Sequence, residues 1–223
     1  SDNRMFDFCT PILYGSSKVA SYHKKLINAT DFPFINIRTV EQAEASKFNI
    51  LNIIQDEVKI DIGQPTEIGG RLAAMSLDYA CHDLMNGKLD ALVTNPINKK
   101  NIQSDKFNFP GHTEYLTNKF GVEESLMIMT CHDLHIGIMT NHLSLSQVPK
   151  VLNRELILRK LQVMDSSLKR DFGIRMPKIA VLALNPHAGD RGLIGTEDDS
   201  IVAPAIREAF DNGILAFGPY PAD

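Results

Sequence analysis

The sequence predicts an α/β fold built on a largely parallel β-sheet. Short apolar runs that suit buried strands alternate along the chain with longer segments of helical periodicity, as in strand–helix–strand units. With 223 residues, 43% of them hydrophobic, the chain is long enough to bury a substantial core. One antiparallel pair is expected within residues 126–140, because two apolar runs there are separated only by a short turn.

The first half of the chain is predicted to begin with a strand followed by a helix. This helix should begin at Ser16 or Ser17, because a serine hydroxyl can accept a hydrogen bond from the first helical turn. The segment 67–85 places apolar residues along one face of a second helix, and Gly87 ends it. The apolar runs predicted as strands are 11–15, 34–38, 49–54 and 91–93.

The second half is predicted to contain two helices and the remaining strands. Apolar residues in the segment 153–172 recur every three or four positions, which is the period of an α-helix, and Gly173 ends it. Another helix is expected over residues 197–212, where Gly213 follows. The apolar runs predicted as strands are 126–130, 136–140, 178–184 and 214–217.

The composition argues against several classes of protein. A formal net charge of -4, with Lys and Arg scattered along the chain, argues against a nucleic-acid-binding protein. No apolar run approaches the roughly 20 residues needed to cross a bilayer, so a cytoplasmic protein without a membrane span is expected. The odd number of cysteines, without CxxC spacing, predicts reduced and buried thiols at Cys9, Cys81 and Cys131.

Three histidines lie at or near the ends of apolar runs, on segments that suit loops. His187 lies in the glycine-rich stretch NPHAGDRGLIGTE at 185–197, His142 closes an apolar run, and His112 lies in FPGHTE. Loops that follow buried strands are where α/β proteins place their chemistry, because the strand fixes a position and the loop keeps the side chain accessible. These histidines are therefore the candidate site.

His142 and His187 admit two interpretations. Neutral imidazole is the commonest protein ligand for divalent transition metals, and the two side chains could converge on one ion. A loop histidine is more often solvated or hydrogen-bonded, and a catalytic zinc normally takes a third protein ligand. The residues alone leave open the choice between a metal site and ordinary loop histidines.

His112 and Thr113 also admit two interpretations. The block PGHTE suits the start of a helix, with one of these residues near the cap. The unpaired N–H groups of a helix N-terminus can also bind an anion, so a phosphate or carboxylate could dock beside them. Lys99 and Lys100 could contact a phosphate or simply form a solvated surface.

Five sequence blocks carry a more specific signal. They are NPINKK at 95–100, PGHTE at 110–114, TNHLSL at 140–145, LNPHAGDRGLIGTED at 184–198 and GPYPAD at 218–223. In order and approximate spacing, they resemble the 4-hydroxythreonine-4-phosphate dehydrogenase family of pyridoxal phosphate biosynthesis. The resemblance extends from about residue 10 to the end of the sequence.

The resemblance implies a three-layer α/β/α architecture similar to that of isocitrate and isopropylmalate dehydrogenases, with two lobes around a cleft. A lobe boundary is expected near residues 105–112. The resemblance also implies a homodimer whose active site is shared between subunits. This chain is expected to be an incomplete dehydrogenase, with N-terminal and C-terminal segments missing. A third metal-binding histidine and much of the cofactor site would lie in the missing parts, so the chain alone is not expected to be catalytically competent.

The resemblance assigns roles to individual residues. His142 and His187 would bind a divalent metal, for which zinc, magnesium, cobalt and manganese are candidates. His112 and Thr113 would contact the small phosphorylated substrate, and Asp223 is expected to act as a catalytic residue near it. The implied reaction is the NAD-dependent oxidation of 4-phosphohydroxythreonine, followed by decarboxylation to 3-amino-2-oxopropyl phosphate.

Two alternatives stay open at this point. A paralogue could oxidise erythronate or threonate 4-phosphate, since Asn141, Ser144 and Asp190 stand where threonine, proline and glutamate are more typical of the family. A non-catalytic protein that binds phosphate ligands would keep the scaffold without the chemistry. The three histidines together argue against this second alternative, because a pure binder needs no paired imidazoles.

Overall fold

The computed structural model of the chain describes residues 3–29, 32–54 and 58–223. The chain divides into two compact units, Ser1–Gly121 and Val122–Asp223. The strands are β1 (Ile12–Gly15), β2 (Ile35–Ile37), β3 (Asn49–Asn52), β4 (Met127–Cys131), β5 (Leu134–Ile138), β6 (Ile179–Leu182) and β7 (Ala216–Tyr220). The helices are α1 (Ser17–Leu26), α2 (Glu67–Met85), α3 (His112–Lys119), α4 (Val148–Val151), α5 (Arg154–Arg170) and α6 (Ala203–Asp211).

The first unit contains a parallel sheet in the order β1-β3-β2. The central strand β3 is buried through Asn49, Ile50 and Leu51, as expected for a strand paired on both sides. Ser16 begins α1 as predicted, since its hydroxyl accepts a hydrogen bond from the Val19 N–H at 3.4 Å. The mostly parallel α/β fold predicted from the sequence is therefore confirmed for these elements.

The predicted strand at 91–93 is wrong. The segment has no strand pairing to any part of the chain that the structure describes, and Val93 is 92% exposed. A strand needs a neighbour to satisfy its backbone N–H and C=O groups. An apolar run without such a neighbour stays irregular, whatever its β propensity.

The first unit ends after α3. Tyr115 of α3 packs with Leu77 and Cys81 of α2 and with Phe107 in one buried cluster. This packing ties α3 to the first unit, so the division falls after Gly121, beyond the boundary expected near 105–112.

The second unit contains two separate two-stranded sheets. Strands β4 and β5 form the predicted antiparallel hairpin, and β6 and β7 pair in parallel. Helices α5 and α6 supply most of the core beneath them, including Ile157, Leu161, Ala205 and Ile206. The long helix predicted at 153–172 is confirmed as α5, with Asn153 as its cap.

The last helix and strand differ from the prediction in their limits. The helix predicted at 197–212 begins with a π-helical turn, Asp198–Val202, before α6. The final strand begins at Ala216 because the Ile214 N–H bonds to the Ala209 carbonyl at 2.9 Å. This bond makes Ile214 part of the helix ending, so the strand starts later than predicted.

Along residues 3–29, 32–54 and 58–223, no helix is long and apolar enough to span a membrane.

All three cysteines are free thiols, as predicted. The prediction of burial holds for Cys81 but is wrong for Cys9 and Cys131, which are exposed. Cys131 is exposed because it lies at the tip of the β4–β5 hairpin.

Candidate functional site

His187 lies on a turn with unusual backbone geometry. The turn Pro186–Gly192 follows β6, and five consecutive residues in it, 187–191, have φ between +43° and +79°. This left-handed region costs a non-glycine residue roughly 1–2 kcal/mol, and only Gly189 in the run is free of that cost. Such strain persists only where the surroundings enforce it, and it clusters at functional sites.

A buried carboxylate lies beneath this turn. Asp198 is only 1% exposed and accepts hydrogen bonds from the backbone N–H groups of Leu184, at 2.8 Å, and Asn185, at 3.0 Å. The Asn185 side-chain amide donates to Asp198 and to Glu197, each at 3.0 Å. Two hydrogen bonds hold the pKa of Glu197 below its usual value. The larger effect comes from the backbone N–H of Glu197 itself, and the Asn185 amide adds to it. These bonds fix the chain where it leaves β6.

The turn also folds back on itself closely. A Cβ atom added at Gly189 would lie 2.6 Å from the Gly195 carbonyl oxygen. The Ile194 N–H donates to the Gly189 carbonyl at 3.1 Å and closes the loop. Position 189 therefore requires glycine for its left-handed φ and also for space.

Asp223 contacts His187 at two points. Its Oδ2 lies 2.5 Å from the ring Nδ1, and its Oδ1 accepts the His187 backbone N–H at 3.1 Å. The backbone N–H is the main reason why the pKa of Asp223 is below its usual value. Because the carboxylate occupies Nδ1, Nε2 is the ring nitrogen left to face a ligand.

His142 lies in the same unit, beyond the end of β5. It is exposed and, like His187, has a left-handed backbone, with φ of +53°. Two imidazoles, one of them oriented by a carboxylate, fit the donor chemistry of a divalent transition metal. In the part of the chain that the structure describes, no three His, Cys, Asp or Glu residues gather into a metal cluster. The donors present are thus fewer than the three that a catalytic zinc takes.

His112 and Thr113 lie at the start of α3 in the first unit. Gly111 is the N-cap residue, and His112 and Thr113 follow it directly, so the prediction of a helix start with these residues near the cap is confirmed. Both residues stand in the first turn, where backbone N–H groups have no helical acceptor. Burial lowers the pKa of His112 below 6.5, which favours a neutral imidazole at neutral pH.

Lys99 lies beside the same helix start. A Cβ added at Gly111 would be 3.9 Å from the Lys99 Nζ and 3.6 Å from a Glu114 carboxylate oxygen. The helix is also anchored by Tyr115, whose hydroxyl donates to Asp78 at 2.9 Å. The α3 terminus therefore combines a neutral imidazole, a hydroxyl, a nearby ammonium group and the Glu114 carboxylate.

The structure thus groups some of the predicted site residues and adds others. His187 and Asp223 are in direct contact, His142 belongs to the same unit, and His112 and Thr113 are adjacent in the other unit. Sequence reasoning missed Asn185 and Asp198 as the residues that hold the His187 turn. Both lie within the block 184–198, but no residue pattern distinguishes a buried carboxylate from an exposed one near a helix start.

Comparisons with known proteins agree with this fold. A 4-hydroxythreonine-4-phosphate dehydrogenase of Bacteroides thetaiotaomicron is 42% identical over 225 residues, covering 100% of this chain and 61% of that relative. A Clostridium botulinum protein provisionally named D-threonate 4-phosphate dehydrogenase is 31% identical, covering 100% of this chain and 67% of that relative. A crystal structure of a 4-hydroxythreonine-4-phosphate dehydrogenase from Burkholderia phymatum matches with a TM-score of 0.84 at 26% identity, over 99% of this chain and 67% of that one.

The chain thus spans 61% of the length of the Bacteroides relative. The sequence profile of the family described as pyridoxal phosphate biosynthetic protein PdxA matches residues 7–223. Because this match covers nearly the whole chain, the chain belongs to the PdxA family.

Proposed function

We propose that the protein containing this chain is a metal-dependent dehydrogenase that oxidises 4-phosphohydroxythreonine with NAD and releases 3-amino-2-oxopropyl phosphate after decarboxylation. Family membership and the name of the 42% identical relative support the substrate. The observation that carries the chemistry is the contact of His187 with Asp223 on a strained turn. Metal-binding histidines commonly donate their second ring nitrogen to a carboxylate in this way.

His142 and His187 would hold the metal. A bound divalent cation would lower the pKa of the substrate hydroxyl and stabilise the enolate formed on decarboxylation, while NAD would accept the hydride. Asp223 keeps the Nδ1 edge of His187 engaged, which directs Nε2 toward the ligand. Asp223 is also predicted to act directly on the substrate as a catalytic residue, in addition to orienting His187.

His112 and Thr113 would bind the substrate. The first-turn N–H groups of α3 attract an anion, and the Lys99 ammonium beside Gly111 adds positive charge next to the Glu114 carboxylate. The neutral His112 ring and the Thr113 hydroxyl can then hydrogen-bond a phosphate or carboxylate oxygen. These groups together suit a small phosphorylated hydroxy acid.

The protein would act in the cytoplasm as a homodimer with a shared active site. One face of the β4–β5 hairpin supports the dimer, because its apolar side chains are exposed, with Met129 60% and Leu134 59% accessible. The other face is covered, since a Cβ at Gly137 would already lie 3.3 Å from the Met164 sulfur of α5. The open face still exposes apolar surface to water, so a second copy covering it would stabilise the hairpin.

A second candidate function is the oxidation of threonate or erythronate 4-phosphate. The Clostridium relative favours it, since its provisional name gives D-threonate 4-phosphate as substrate. A substrate panel on the complete protein separates the two. Turnover of 4-phosphohydroxythreonine well above the two sugar-acid phosphates supports the first proposal, and turnover of a sugar-acid phosphate alone supports the second. Metal-independent binding of all three without turnover would indicate a non-catalytic phosphate-binding protein.

A further inference from the structure

We propose that Asp198 is a positioning residue that sets the direction of the His187 imidazole through the backbone of the turn. Asp198 contacts neither the metal nor the substrate in the proposed function, and its effect on metal binding rests on the proposed metal-binding role of His187. Three observations carry it: the burial of the carboxylate, the origin of its donors, and its connection to the core.

The first observation is a buried carboxylate with several donors. Asp198 is 1% exposed, and its two oxygens accept three N–H hydrogen bonds of 2.8 to 3.0 Å. Burying an ionised group is costly unless hydrogen bonds compensate, so these bonds are needed for the carboxylate to stay in place. A carboxylate engaged in this way is fixed and serves as an anchor.

The second observation is that the three donors come from one short segment of the chain. All three belong to Leu184 and Asn185, the last two of the three residues between β6 and the turn that carries His187. A small rotation of these two peptide units would swing the whole left-handed run 187–191. Asp198 Oδ2 also lies 3.8 Å from the position of a Cβ at Gly189, so the carboxylate lies directly below the turn.

The third observation is the connection from Asp198 to the rigid part of the unit. Asp198 is the first residue of the π-helical turn Asp198–Val202, and Val202 and Ala205 are buried in the core beside α5. Single π-helical turns within helices occur frequently at functional sites. The core therefore fixes the carboxylate, and the carboxylate fixes the exit of β6. A ligand held by such support can keep the narrow geometry that a metal requires.

The test is Co²⁺ binding to the complete protein, read from the visible absorption of the bound ion. Asp198→Asn keeps the size of the side chain but replaces an acceptor oxygen with an NH₂ group facing N–H donors. We expect its Co²⁺ affinity to fall by about 10- to 100-fold, as for other residues that support a metal ligand. Asp199→Asn changes the exposed neighbour and is the matched control, with unchanged Co²⁺ affinity expected.

A second readout is amide hydrogen exchange of residues 185–195 in the metal-free protein. Asp198→Asn should speed exchange there and leave α5 protected, whereas a loss of global stability would speed both. If Asp198→Asn does not fold, Asn185→Ala serves instead, because it removes only the side-chain donor. That variant should weaken Co²⁺ binding several-fold.

The outcomes separate this inference from the proposed function. Wild-type Co²⁺ affinity and wild-type exchange in a folded Asp198→Asn variant would overturn the positioning role. If His187→Ala binds Co²⁺ as tightly as the wild type, the proposed metal site is wrong. Amide hydrogen exchange of residues 185–195 would then be the measurement that decides whether Asp198 positions the turn.

Discussion

Asp223 holds His187 by both its ring and its backbone. The two carboxylate oxygens reach different groups of one residue, Nδ1 at 2.5 Å and the backbone N–H at 3.1 Å. The contact fixes the ring relative to its own main chain, which is itself held in a left-handed conformation. The ring nitrogen presented to a ligand is therefore set by a residue 36 positions away.

Loss of the Asp223 charge should weaken the metal site. Asp223→Asn keeps the shape but offers Nδ1 a neutral group, so His187 becomes a poorer ligand. We expect metal affinity of the complete protein to fall by about 10- to 100-fold. Isothermal titration with the metal measures this, and Asp211→Asn, on the exposed end of α6, is the control. Equal affinity of both variants would contradict an orienting role.

Gly189 should tolerate alanine less well than another left-handed glycine. Gly213→Ala pays only the backbone cost of about 1–2 kcal/mol, because the space around its Cβ position is open. Gly189→Ala adds a clash with the Gly195 carbonyl, and we expect a loss at least about 1 kcal/mol larger. Urea unfolding of the two variants measures the difference. Equal losses would show that the turn relaxes freely.

Burial of His112 should make stability depend on pH. Its pKa is below 6.5 in the folded chain, so between that lowered pKa and 6.5 the unfolded chain binds more protons. The free energy of unfolding should therefore fall as the pH drops through this window. Urea unfolding at about pH 7.5 and about pH 5.5 measures the change.

His112→Asn should reduce that pH dependence, since asparagine does not titrate. His132→Asn is a suitable control, because His132 is exposed and its left-handed φ suits asparagine. A wild-type pH dependence in His112→Asn would show that other groups cause the change.

A charge on the open face of the β4–β5 hairpin should disrupt the dimer. Met129→Glu places a carboxylate on the apolar face that a second copy would cover. Sedimentation velocity of the complete protein should show a dimer for the wild type and a shift to monomer for the variant. Met176→Glu changes another exposed methionine of the same unit and should remain dimeric. A monomeric wild-type protein would exclude the proposed assembly.

Local periodicity was enough to predict the long elements. Helices α2 and α5 follow from apolar residues at helical spacing, and the β4–β5 hairpin follows from two short runs around a turn. The strand prediction for residues 91–93 is wrong because a strand forms only beside a partner strand, and no local sequence pattern reveals that partner. The start of β7 was misplaced because the hydrogen bonds that end α6 extend to Ile214.

The sequence predicts where the candidate site lies but not which residues hold it in place. Glycines marked the His187 turn, and the apolar run before it marked the strand exit. The left-handed φ of Ala188 has no signal in residue type, since alanine does not favour that conformation. The contacts of Asp198 with Leu184 and of Asp223 with His187 join residues 14 and 36 positions apart, and only the folded chain brings them together.

The most direct measurement is NADH formation by the complete protein with 4-phosphohydroxythreonine, with and without a metal chelator. The wild type should turn over and lose activity with chelator, and His142→Ala and His187→Ala should lose it without chelator. His132→Asn should keep wild-type activity, because His132 belongs to the exposed hairpin turn. Turnover that survives the chelator, or survives loss of either histidine, would contradict a metal-dependent dehydrogenase built on His142 and His187.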